Sequence, residues 1–104
     1  MDIIKQFISE LKKIYAENLQ YVLLYGSQAR GTSTAESDID LLIVLDHFDN
    51  FWQENSKIKN LAYQLTFAAG KSVVISALPV TLKQYKEGAT PFLLNVKKES
   101  KIIK

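Results

Sequence analysis

Two short stretches hold the residues whose types and spacing can do chemistry: Gly26-Ser27-Gln28-Ala29-Arg30-Gly31 and Ser37-Asp38-Ile39-Asp40-Leu41. Side chains two apart on a strand leave the same face, so Asp38 and Asp40 converge while Ile39 points away. Two carboxylates at close range repel, and a divalent cation held between them relieves that repulsion. Hard oxygen ligands suit Mg²⁺, which keeps water or substrate phosphates in its remaining positions. Gly26 lacks a side chain and so lets backbone N–H groups approach a phosphate, while the Ser27 hydroxyl can donate to it. Arg30 carries a fork of donors that serves equally to bind a phosphate or to order the loop. The chemistry implied is metal-assisted handling of a nucleoside triphosphate.

Strands and helices must place these groups. Tyr21-Val22-Leu23-Leu24-Tyr25 reads as a buried strand ending at Gly26, and Asp38–Leu45 as a second strand, apolar on both faces except at its start. Before them, Ile3, Ile4, Phe7, Ile8, Leu11, Ile14 and Tyr15 recur at helical spacing. After them, helical spacing returns over 51–69, with Gly70 as a stop, and Trp52, Tyr63 and Phe67 along that helix read first as core. A third strand is expected at Ser72–Leu78, closed by Pro79, then a short helix capped by Thr81 and another opened by Pro91. The order α, β, loop, β, α, β, α, α points to an α/β fold, a small mixed sheet of about four strands packed against helices.

With 104 residues, 47% hydrophobic and 23% charged, the chain is expected to form one domain, 1–104, with an ordinary globular core. Thirteen basic against eleven acidic residues leave a formal charge of +2, too little to imply nucleic acid or membrane from charge alone. No cysteine is present, so disulfides and thiolate metal sites are excluded. No apolar run approaches the 18 or so residues of a membrane span, and a soluble, cytoplasmic protein is expected. His47, the single histidine, sits in a polar turn and carries little functional weight.

The two stretches resemble the minimal nucleotidyltransferase domain of the DNA polymerase beta-like superfamily, whose motif is Gly-Ser, ten residues, then Asp-x-Asp. Gly26-Ser27, residues 28 to 37 and Asp38-Ile39-Asp40 match it, as do Arg30-Gly31 and Ser37 before the first aspartate. The element order matches as well, so the resemblance covers essentially the whole chain. It implies transfer of a nucleoside monophosphate, usually AMP from ATP, to a hydroxyl. Asp38 and Asp40 would hold Mg²⁺, and Gly26, Ser27, Arg30 and Ser37 would hold the nucleotide.

Family members commonly place a third acidic residue on the next strand, as metal ligand and proton acceptor. Alignment puts Val74 there, and no Asp or Glu lies anywhere from 55 to 86. Losing a general base costs roughly 10²- to 10⁴-fold. Free-standing chains of this size in the family are often antitoxins paired with a HEPN ribonuclease toxin, to which they add AMP at a tyrosine. That role, in a hetero-oligomer with the toxin, is the expectation here. Neutralisation by binding alone, or transfer to an RNA or small molecule, are the alternatives. No direct nucleic-acid binding is expected.

Overall fold

The computed structural model describes residues 2–26, 39–70 and 74–104. Helix α1 (Asp2–Tyr15) and a 3₁₀ turn (Ala16–Asn18) lead into β1 (Leu19–Tyr25); β2 (Ile39–Leu45) is followed by α2 (Phe51–Ala68) and β3 (Ile75–Thr81). Helices α3 (Leu82–Glu87) and α4 (Pro91–Glu99) and a two-residue strand β4 (Lys101–Ile102) complete it. The sheet runs β3-β2-β1-β4, antiparallel at β1–β2 and β1–β4, parallel at β2–β3. This is the expected mixed four-stranded sheet with helices packed on it.

Central position makes β2 apolar on both faces. Ile39, Leu41, Ile43 and Leu45 pack with Phe7 and Leu11 of α1 and Ile58 and Ala62 of α2. Leu42 and Val44 face the other way, onto Leu93 and Val96 of α4. Strand alternation therefore sends Tyr25 and Asp40 to the α4 face of the sheet. The polar start of β2 lies at the same end of the sheet as the last residue of β1, because Tyr25 pairs with Asp40.

Three expectations need correction. Pro79 does not close β3 but sits inside it, buried and paired in register with Ile43. The Ile39 N–H donates to the Val74 carbonyl, so even-numbered residues of β3 turn their amides to β2 and odd-numbered ones turn outward. Pro79 thus lacks an N–H on the open side of an edge strand, where no ladder bond is lost. Trp52, Tyr63 and Phe67 are not core: they are 74%, 67% and 75% exposed, because Ile58 and Ala62 turn another face of α2 to the sheet. The expected element order ends on a helix, but Lys101–Ile102 forms β4, where Ile102 pairs with Leu23 and covers the outer side of β1.

The caps hold as read. Thr81 accepts from the Gln84 N–H at 3.1 Å while the Gln84 side chain accepts from the Thr81 N–H at 2.9 Å, a reciprocal capping box. Gly70 adopts φ +63° beyond α2. Pro91 opens α4 as expected, and the structure adds a cap not expected from the sequence, the Thr90 hydroxyl accepting from the Leu93 N–H.

Between α1 and α2 the Tyr15 hydroxyl donates to Glu54 Oε2 at 2.7 Å, and the Lys57 ammonium lies 5.6 Å from the Tyr15 ring centre. Burial foremost, then the Glu54 hydrogen bond and charge, raise the Tyr15 pKa well above the ordinary tyrosine value. A raised folded-state pKa favours the folded, protonated form, so stability from Tyr15 is intact below about pH 10 and is lost as pH climbs from there through the raised value. Urea midpoints measured from pH 8 to 11.5 should fall more steeply for the natural protein than for Tyr15→Phe; parallel curves would contradict this.

Candidate active site

The sheet brings Gly26 and Asp40 together where β1 ends and β2 begins. Gly26 has φ +74°, a left-handed turn that side chains oppose. A Cβ added there would lie 2.5 Å from Asp40 Oδ2, so the absence of a side chain is what lets the carboxylate sit against the turn. Asp40 itself is half-buried. Ser27, Arg30, Ser37 and Asp38, the other residues singled out by sequence, lie outside the described residues.

Asp40 stands between two neighbours that sequence reasoning did not assign to the site. Tyr25 pairs with it across β1, and Ser76 pairs with it across β3. Burial first, and the Asp40 charge second, push the Tyr25 phenol above its ordinary pKa. The Tyr25 ring meets the Phe92 ring edge-on, centroids 5.6 Å apart at 84°. Thr90 and Pro91 make this contact by starting α4 one residue before Phe92. Tyr25 was legible in principle, as the residue preceding Gly26; Phe92 carried no local signal.

Register also refines the question of the third acid. The residue beside Asp40 on β3 is Ser76, with Val74 two positions earlier on the same face and 52% exposed. Neither is a carboxylate. Asp46 lies just past the far end of β2, six positions from Asp40 and about 20 Å away at the usual strand rise. It joins the far turn, where its N–H donates to the Asn18 carbonyl and the Asn18 amide brackets His47. That makes His47 a turn residue remote from Asp40.

Among the described residues no cluster of three or more His, Cys, Asp or Glu is present. Asp40 offers hard oxygen donors next to a turn with no side chain, a donor type that suits Mg²⁺. Phe92 borders two openings beside this site: one of about 370 Å³ on the β3 side, lined also by Tyr25 and Ser76, and one of about 110 Å³ lined also by Gly26 and Glu99.

Gly26→Ala is expected to destabilise the protein by about 1–3 kcal/mol, from a left-handed alanine and the clash with Asp40. Chemical denaturation beside the natural chain measures it, and an unchanged midpoint would show that the turn relaxes freely.

Comparison with known proteins agrees with this geometry. The family model described as polymerase beta, nucleotidyltransferase matches residues 4–104. A candidate protein adenylyltransferase of Methanocaldococcus jannaschii, MJ0604, is 51% identical over 43 residues, 41% of this chain and 43% of that protein. The match therefore spans less than half of that relative's length. Among solved structures, a candidate nucleotidyltransferase of Sulfolobus solfataricus superposes with a TM-score of 0.67 at 18% identity, covering 97% of this chain and 76% of the other. A mutant MntA–HpeT toxin–antitoxin structure superposes at 0.52 with 25% identity, covering 96% and 71%. A four-stranded mixed sheet that sets Asp40 against the Gly26 turn, together with a family match over nearly the whole sequence, places this chain in the polymerase beta nucleotidyltransferase family.

Proposed function

We propose that this chain is an MNT-type antitoxin that transfers AMP from ATP to a tyrosine hydroxyl of a HEPN ribonuclease toxin and thereby neutralises it. The observation that carries the reading is the placement of Asp40, a half-buried carboxylate fixed against the side-chain-free Gly26 turn at the mouth of the sheet. Similarity to a candidate protein adenylyltransferase and to an antitoxin from a toxin–antitoxin complex supports it.

Asp38 and Asp40 would hold Mg²⁺, and the Gly26 backbone with Ser27, Arg30 and Ser37 would hold the triphosphate. When bound, the metal supplies charge neutralisation at the phosphates and at the leaving pyrophosphate. Asp40 fixes the position of the α-phosphate relative to the sheet, and the Gly26 turn leaves room for phosphate oxygens to approach backbone amides. Tyr25 closes one side of Asp40 and limits water there. None of the described helices is long and apolar enough to cross a membrane. We place the protein in the cytoplasm, in a hetero-oligomer with its toxin.

One observation favours a second reading, neutralisation by binding alone: where a proton acceptor would stand, β3 offers Ser76 and the residue just before the strand is Val74. The intact mass of the partner after incubation with this protein, ATP and Mg²⁺, beside an Asp38→Asn, Asp40→Asn variant, separates the two. Mass gained in whole AMP units with the natural sequence alone supports transfer. No gain, with a tight complex formed by both versions, supports binding.

A further inference from the structure

Three of the largest side chains on α2 contribute little to the core. Trp52, Tyr63 and Phe67 stay largely exposed because Ile58 and Ala62 are the residues that turn to the sheet. At 100° per residue, Trp52, Ser56, Lys59, Tyr63 and Phe67 fall within roughly 80° of one another, one stripe about 22 Å long on the side of α2 turned from the sheet. Both ends of the stripe are braced. The Trp52 ring stands edge-on to Phe51, centroids 5.2 Å apart at 80°, while Tyr63 and Phe67 stack at 6.0 Å and 20°. Rings held by one another lose little freedom when something covers them. Their open faces amount to roughly 400 Å² of aromatic surface, the size of the largest apolar patch on a typical monomer, a patch that is often functional.

Charge decides what fits there. Lys59 lies exposed in the middle of the stripe and forms no ion pair among the described residues, whereas Lys57 is paired with Glu54. No Asp or Glu follows Glu54 in the helix. A second copy laid antiparallel, so that Trp52 meets the Tyr63–Phe67 pair, would bring Lys59 within about one turn of its own counterpart, where like charges repel. A stable dimer also needs about 800 Å² from each copy, roughly twice what these rings offer. A nucleic acid would be tracked by a run of cations, and the stripe has Lys59 alone. An extended peptide would find no main-chain partner, because the helix has already bonded its own backbone. We propose that the α2 stripe docks an amphipathic helix of a partner protein in a transient contact. That helix sets apolar side chains eleven residues apart against the two aromatic clusters, and a carboxylate between them against Lys59. Trp52 and Tyr63 are separated by about 16 Å, three turns, over which two packed helices keep their side chains interdigitated. The contact needs neither nucleotide nor metal, so it does not depend on the transfer reading.

Trp52 is the single tryptophan of the chain, so its emission reports this surface alone. The probe is a capped synthetic peptide of about 18 residues, long enough to hold a helix, with leucines along one face and glutamates at the centre of that face. A second peptide carries lysines in place of the glutamates. Added to the full chain, the glutamate peptide is expected to shift the emission to shorter wavelength and to saturate below about 1 mM. The lysine peptide should bind about fivefold more weakly, and Lys59→Glu should invert the preference. A Tyr63→Ser, Phe67→Ser double variant should lose most of the binding; these positions are exposed, and thermal melts verify that each variant is folded. No shift at about 1 mM, or a peptide preference that Lys59→Glu leaves unchanged, overturns the proposal. So does a shift produced by raising the protein concentration alone with a dimer in sedimentation, which would make the occupant a second copy. Tighter binding of an oligouridylate than of the glutamate peptide overturns it in favour of nucleic acid.

Discussion

Asp40→Asn is expected to lower AMP transfer about 10³-fold or more while leaving the fold in place. A bound metal contributes several kcal/mol of charge stabilisation in the transition state, and each 1.36 kcal/mol is a factor of ten in rate. Asparagine keeps the shape of the side chain, so the Gly26 turn and the β1–β2 register should survive. It removes the charge that would hold the cation and set the α-phosphate. A second readout distinguishes this from local collapse: the Tyr25 phenol is raised partly by the Asp40 charge, so its titration should move back toward the ordinary tyrosine value in the variant. The part due to burial should remain. Transfer at the natural rate in Asp40→Asn would exclude this carboxylate from the chemistry.

Phe7→Ala is expected to have the largest effect on stability, about 3–5 kcal/mol. Phe7 is fully buried, as is Leu11 beside it, and both pack on Leu41 and Ile43 of the central strand. The alanine variant loses the transfer free energy of the ring and leaves a cavity that the sheet cannot close, since β2 is pinned by β1 and β3. Against a total of about 5–15 kcal/mol for a typical domain, and toward the low end for one this small, such a loss brings the chain close to unfolding at ambient temperature. Urea denaturation should show a much lower midpoint with an unchanged slope. A shift under 1 kcal/mol would mean that α1 repacks against the sheet.

The sequence by itself determined the local parts of this protein. Helical spacing from Ile3 to Tyr15 was legible because one face must be apolar to pack. The Thr81 cap was legible because a threonine before a helical run satisfies free N–H groups. The Gly26 turn, and Asp40 set against it, were legible because a Gly-Ser followed at fixed spacing by Asp-x-Asp marks a loop joining two adjacent strands. Tertiary structure alone decided what pairs with what. Ser76, not Val74, came to stand beside Asp40 because the parallel register of β3 on β2 is set by packing on both faces, which no local pattern reveals. Pro79 could lie within a strand because β3 is an edge and its odd-numbered amides point outward. Trp52, Tyr63 and Phe67 were left in solvent because the sheet needed only the Ile58–Ala62 face of α2. Phe92 reached Tyr25 across 67 positions of chain, a contact made only when α4 docks on the sheet face that also carries Asp40.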